Sequence, residues 1–204
     1  MLFFSEYATE SAPAASVREG GSVLDVVERL KNKEEAALLE MMREYGDGLL
    51  RTAVLLVGDR QAAEEAVQDA FLTAYAKIGD LQDPSKLKSW LTRIVVNRCR
   101  MKLRTWSWRR LLPFGGLETM PEGDAEPGPE DRLLLEWRNG RLADAIRKLA
   151  YPYREAITLY YFNEMSVQDI AGQLNVSANT IKARLARGRA RLKRLLEEEE
   201  ERGE

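Results

Sequence analysis

Along most of the chain apolar residues recur every three or four positions, the spacing of helices that bury one face. A first signal lies at Val23, Val26, Val27 and Leu30. From residue 34 to 57 the series runs Leu38, Met41, Met42, Tyr45, Leu49, Ala53 and Leu56. Gly58 ends that helix and Asp59 is placed to cap the next. Residues 60–78 continue with Ala63, Val67, Ala70, Phe71, Ala74 and Ile78 on one side, closed by Gly79. Asp83 and Pro84 form a helix start, with Asp as N-cap and Pro at the first position; this helix is expected to run to about Arg104. No stretch alternates with period two, so the expected fold class is all-α.

The pattern breaks between 111 and 129, where Pro113, Gly115, Gly116, Pro121, Gly123, Pro127, Gly128 and Pro129 exclude helix interiors. Helices are expected again over 130–149, 152–162, 166–174 and 177–198. The reading is therefore two small helical domains, 34–110 and 130–198, joined by a flexible acidic linker at 111–129. Residues 1–33 form an N-terminal extension, poorly ordered over the Ala-, Ser- and Gly-rich residues 1–21, and 199–204 an acidic tail.

Composition removes several chemistries. The 204 residues contain no histidine and a single cysteine, Cys99. Internal disulfides, cysteine zinc sites and histidine acid–base catalysis are thereby excluded, and no carboxylate pair stands out as a catalytic couple. No catalytic residue, metal ligand or cofactor is expected. The longest aliphatic run, Ala53 to Val57, is too short to span a membrane, and the N-terminus shows no secretory pattern. A cytoplasmic location without membrane insertion is the expectation.

Charge changes the picture more. The net charge is only −2, yet residues 86–110 carry nine Lys or Arg and no acid, and residues 177–196 carry seven and no acid. Six acids without a base collect in 118–131, and five consecutive glutamates occupy 197–201. Two basic stripes on a near-neutral chain are the footprint of local phosphate contact, although a basic helix can also be a solvated face.

Residues 166–187 have the spacing of a DNA-binding helix-turn-helix. Ser166 and Asp169 form a capping box, Ile170, Ala171 and Leu174 point inward, Asn175 suits a left-handed turn, and Ser177 caps the second helix. With Ile181, Leu185, Leu192 and Leu195 inward, Asn179, Ala183, Ala186, Arg187 and Ala190 point away, flanked by Thr180 and Lys182. Small alanines allow a helix deep into a major groove, where Lys182 and Arg187 can reach guanine edges. Arg184, Arg189, Arg191, Lys193 and Arg194 suit phosphates. In the earlier basic helix, Arg93, Asn97, Arg100 and Arg104 share a face suited to a nucleic-acid backbone. Trp90 is either a core residue or a stacking platform, and Cys99 reads as a small buried apolar residue.

These segments resemble a known family. Residues 62–75, AAEEAVQDAFLTAY, resemble sigma-factor region 2.2; residues 87–100, LKSWLTRIVVNRCR, resemble regions 2.3 and 2.4; residues 153–192 resemble region 4. With only those two domains and a linker, the chain resembles the extracytoplasmic-function (ECF) group of the sigma-70 family. The resemblance implies a sigma factor that binds core RNA polymerase and recognises −10 and −35 promoter elements, in a stress or envelope response. Glu64, Glu65, Gln68 and Asp69 would dock on the β′ clamp helices. The Leu81–Ser89 loop and the helix after it, with Ser85, Lys86, Lys88, Trp90, Arg93, Asn97, Arg100 and Arg104, would hold the melted −10 strand. Asn179, Thr180, Lys182, Ala183, Arg184, Ala186, Arg187 and Arg191 would meet the −35 element while the domain packs on the β flap. The linker would follow the RNA exit channel, and an anti-sigma factor would be a further partner.

Other readings stand beside it. An ordinary helix-turn-helix regulator with an N-terminal sensor leaves the first basic stripe and the acidic helix before it unexplained. A helical adaptor without a DNA role leaves both stripes unexplained. An enzyme lacks histidine and a nucleotide-binding glycine loop.

Overall fold

The computed structural model of the protein describes residues 22–111 and 140–203, with side chains of 106–111, 141 and 199–203 outside the description. Every regular element among these residues is helical. The first bundle comprises α1 (Val23–Lys31), α2 (Glu35–Val57), α3 (Arg60–Lys77) and α4 (Leu87–Leu111). The second comprises α5 (Gly140–Lys148), α6 (Tyr151–Ile157), α7 (Val167–Leu174) and α8 (Ala178–Gly203). The linker and residues 1–21 lie outside the described residues, as does the stretch 130–139 expected to begin the second domain's first helix.

Local chemistry sets the helix ends. Gly58 adopts φ 83°, ψ −3°, and its N–H reaches the Val54 carbonyl at 2.9 Å. This left-handed stop costs glycine nothing and would strain other residues. One residue later the Asp59 carboxylate accepts from the Ala62 N–H at 2.7 Å and starts α3. At Asp83–Pro84 the expected helix start is a 3₁₀ turn, Pro84–Lys86, before α4 proper. The Asp83 carboxylate accepts from the Ser85 N–H at 3.0 Å and from its hydroxyl at 2.6 Å, which favours the tighter turn.

Packing follows the apolar stripes. The α3 stripe is rich in alanine, with Ala62, Ala63, Ala66, Ala70 and Ala74 all buried, so α2 and α4 lie close against it around Val67 and Phe71. In α4 the buried line is Leu87, Leu91, Val95, Val96 and Cys99. Helix α1 belongs to this core: Val26, Val27 and Leu30 are buried, and it packs on α2 and on two short 3₁₀ turns, Ile78–Asp80 and Pro84–Lys86. A reciprocal pair pins its end, Tyr75 Oη donating to the Lys33 carbonyl at 2.7 Å and Lys33 Nζ to the Tyr75 carbonyl at 2.6 Å.

In the second bundle α6 continues into a π-helical turn, Thr158–Phe162, and both α6 and α7 pack on α8. Gly188 is buried where α8 crosses α6; a Cβ there would lie 3.0 Å from Ile157 Cγ1 and 3.5 Å from Tyr153 Cβ. The two bundles also touch, α2 packing on α5, α6 and the π turn. Buried residues of both form one continuous apolar cluster. The sequence reading expects domains of unfixed relative placement; the structure packs them together.

Candidate nucleic-acid interface

The helix-turn-helix is built from the residues named for it. Ser166 Oγ accepts from the Asp169 N–H at 3.1 Å and donates to the Asp169 carboxylate at 2.5 Å, so the carboxylate closes the box through the hydroxyl and not the backbone. Asn175 sits at φ 53°, ψ 51°, a left-handed conformation asparagine tolerates. The Val176 N–H bonds to the Ala171 carbonyl, tightening the turn. Ser177 Oγ accepts from the Thr180 N–H at 3.1 Å and lies 2.8 Å from the Thr180 hydroxyl. That capping holds Thr180 half-buried at the start of α8.

On α8, Ile181 and Leu185 are buried, and Leu192 and Leu195 pack partly against the core. Asn179, Lys182, Ala183, Ala186, Arg187 and Ala190 are exposed, and Arg184 is half-buried. The helix therefore offers a face with a shallow alanine floor between longer polar side chains, the shape that enters a major groove. Arg191 is exposed, with its guanidinium 4.7 Å from the centre of the Tyr153 ring. That stacking pre-orients a cation at the edge of the face.

On α4 and the 3₁₀ turn before it the named residues divide. Ser85, Lys86, Lys88, Arg93, Asn97 and Arg104 are exposed. Trp90 is half-buried against the core, which favours its packing role. Arg98 is turned inward and donates to Thr73 Oγ1 at 2.6 Å. Arg100 is engaged: its Nε and Nη2 donate to the two oxygens of Glu155, in α6, at 2.7 and 2.8 Å. The bond to Glu155 holds the Arg100 pKa above its usual value against the opposing effect of burial. Glu155 is 1% exposed, a functional candidate sequence reading missed; the only local signal is Tyr151 one turn earlier, whose hydroxyl donates to Glu155 at 3.1 Å.

The acidic face of α3 is partly neutralised. Arg60 pairs with Glu64 at 2.9 Å and Lys102 of α4 with Glu65 at 2.6 Å. Lys102 keeps the exposed Glu65 carboxyl below its usual pKa, chiefly through its hydrogen bond. Asp69 is exposed and Gln68 half-buried beside them, with the exposed Leu72 on the same helix. No group of acidic, cysteine or histidine side chains suited to a metal ion occurs among the described residues. No helix among them is long and apolar enough to cross a membrane.

Among the described residues, an all-helical architecture with a helix-turn-helix in one bundle and a separate basic helix in the other is that of a helical transcription factor. Comparison with known proteins refines the class. Residues 41–109 match Sigma-70 region 2 and residues 139–192 match Sigma-70, region 4. The chain is 32% identical over 158 residues to the ECF RNA polymerase sigma factor SigM of Mycobacterium tuberculosis, covering 77% of this chain and 76% of the relative. It is 28% identical over 176 residues to the ECF sigma factor SigW of Bacillus subtilis, covering 83% and 94%. Among solved structures, the sigma factor RpoE of Bartonella quintana, in complex with the anti-sigma factor NepR, aligns with a TM-score of 0.60 at 28% identity, over 78% of this chain and 97% of that one. CnrH, in complex with the cytosolic domain of CnrY, shares the fold at a TM-score of 0.60, over 85% and 96%. The chain belongs to the sigma-70 family, as an RNA polymerase sigma factor of the ECF type.

Proposed function

We propose that this sigma factor divides promoter recognition between α8 and α4 while α3 docks on core RNA polymerase. The observation that carries the reading is the pair of exposed basic faces on separate bundles, one of them the second helix of a helix-turn-helix. Lys182 and Arg187 read base edges of the −35 element across the alanine floor; Asn179, Thr180, Arg184 and Arg191 fix the helix on the phosphates. Arg93, Asn97, Arg100 and Arg104, with Ser85, Lys86 and Lys88 at the loop, hold the melted −10 strand. Glu64, Glu65, Gln68 and Asp69 present the acidic face to the β′ clamp helices, and the second bundle rests on the β flap.

The protein acts by binding, without catalysis or cofactor, in the cytoplasm where polymerase is found. An anti-sigma factor is a further partner; the complex of RpoE with the anti-sigma factor NepR supports that reading. Transcription in vitro with purified core polymerase and a genomic promoter library tests the whole: initiation at a defined promoter set is expected only with the protein present. Initiation unaffected by the protein refutes it.

A further inference from the structure

The turn that carries Ser85 and Lys86 has little of its own to hold it. Pro84–Lys86 is a single 3₁₀ turn, capped by Asp83 and flanked by the buried Leu81 and Leu87, while Ser85 and Lys86 themselves are exposed. Its main packing partner from elsewhere in the chain is α1. Helix α1 has nine residues, a length that is marginal in isolation, so its place depends on its anchors.

The anchors are of two kinds. Val26, Val27 and Leu30 bury the apolar face of α1, an attraction that holds the helix down without fixing its orientation. Orientation comes from Arg29. Its Nε donates to Glu34 at 3.1 Å and its Nη1 to Glu40, in α2, at 2.9 Å, with an Asp25 oxygen 3.6 Å from the same Nη1. A guanidinium is a rigid planar fork, so carboxylates on α1, on the connection to α2 and on α2 itself limit both rotation and sliding of α1. Lys33 closes the connection in a left-handed conformation, φ 63°, held by its two bonds with Tyr75. Exposed ion pairs add little to stability, so this network acts on placement more than on folding.

We propose that Arg29 is a positioning residue for −10 recognition: it orients α1, and α1 sets where Ser85 and Lys86 meet the melted strand. This rests on the assignment of that turn to the −10 element. Arg29 acts through α1 and needs no contact with DNA. Arg29→Met removes the charge and keeps the aliphatic stem. Glu40→Gln keeps the shape and weakens one arm of the fork, and carries the test should Arg29→Met not fold. Arg29→Lys keeps the charge without the fork. Full-length chains are reconstituted with core polymerase, and affinity is measured for fork-junction promoters that differ at single −10 positions. Hydrogen exchange over residues 82–89 of the free chain reads the turn directly. Arg29→Met is expected to lower discrimination at a −10 position by about three- to tenfold, the net worth of one hydrogen bond, and to speed exchange in the turn. Arg29→Lys and Glu40→Gln are expected to fall between it and the native chain. Affinity for core polymerase and −35 preference stay unchanged. Val67→Ala, a truncation in the core of α3, is expected to lower the melting temperature and leave −10 discrimination intact.

Full discrimination in folded Arg29→Met and Glu40→Gln, where Ser85→Ala or Lys86→Ala loses it, overturns the positioning role. An equal loss in Val67→Ala overturns it too, because general destabilisation then accounts for the effect. Failure of the underlying assignment reads differently: Ser85→Ala and Lys86→Ala would themselves leave −10 discrimination unchanged, and the positioning role would fall with it.

Discussion

Lys182 and Arg187 stand on the open side of α8, where truncation removes a contact and leaves the core intact. Lys182→Ala and Arg187→Ala are each expected to weaken −35 recognition by about 1–3 kcal/mol, the worth of a good base-edge pair, with unchanged thermal stability. Promoter preference measured across −35 variants checks this; preference unchanged in both excludes the assignment. This face was legible in the sequence because every determinant is local: a cap, a turn residue and one apolar stripe. Arg100 was legible only as a cation, since its partner lies 55 residues away and carries no mark of burial in the sequence. Asp83 supports a pH prediction. The Ser85 hydroxyl, followed by its N–H, holds the Asp83 carboxyl below its usual pKa. A depressed pKa contributes stability above the ordinary carboxylate range and loses it as pH falls through the folded value. The melting-temperature gap between the native chain and Asp83→Ala should therefore narrow as pH is lowered from about 7 to about 3. A gap independent of pH would show that the carboxylate's charge has no part in the turn.

At the scale of elements, one crossing and one turn depend on single residues. Gly188 leaves room for α6, so Gly188→Leu is expected to drive a side chain into Ile157 and Tyr153 and to cost about 1–3 kcal/mol, seen as an earlier denaturant midpoint. Asn175→Gly should be tolerated at its left-handed turn, whereas Asn175→Val should destabilise the same bundle by about 1–2 kcal/mol. Helix starts and stops were readable where a side chain fixes them, as at Gly58 and Asp59. Less was readable where tertiary contact decides: α1 joins the first core through three buried residues, ahead of the domain start at 34 expected from sequence. The acidic side of α3 gives a test of docking. Glu65→Lys with Asp69→Lys is expected to lower affinity for core polymerase at least tenfold with normal circular dichroism, because exposed positions contribute little to folding. Normal affinity in a folded variant excludes that face.

For the molecule, the largest departure from the sequence reading is the contact between bundles. Periodicity shows which face of a helix is apolar but not which helix it meets. Part of α2 therefore read as core of its own domain while it also faces α5, α6 and the π turn. The isolated chain is expected to bind duplex promoter DNA weakly and with strong salt dependence, and tightly only with core polymerase. Gel shifts at physiological salt check this; strong specific binding by the free chain would contradict it. The buried thiol carries one more consequence. Cys99 is the chain's only cysteine, has no exposed surface, and burial pushes its pKa up to about 12. Oxidation proceeds through the thiolate and needs access to solvent. Two intact molecules therefore have no route to cross-link through it. Covalent dimers on a non-reducing gel would count only those chains whose α4 had at some time come away from its core, leaving in each sample a permanent record of its past excursions.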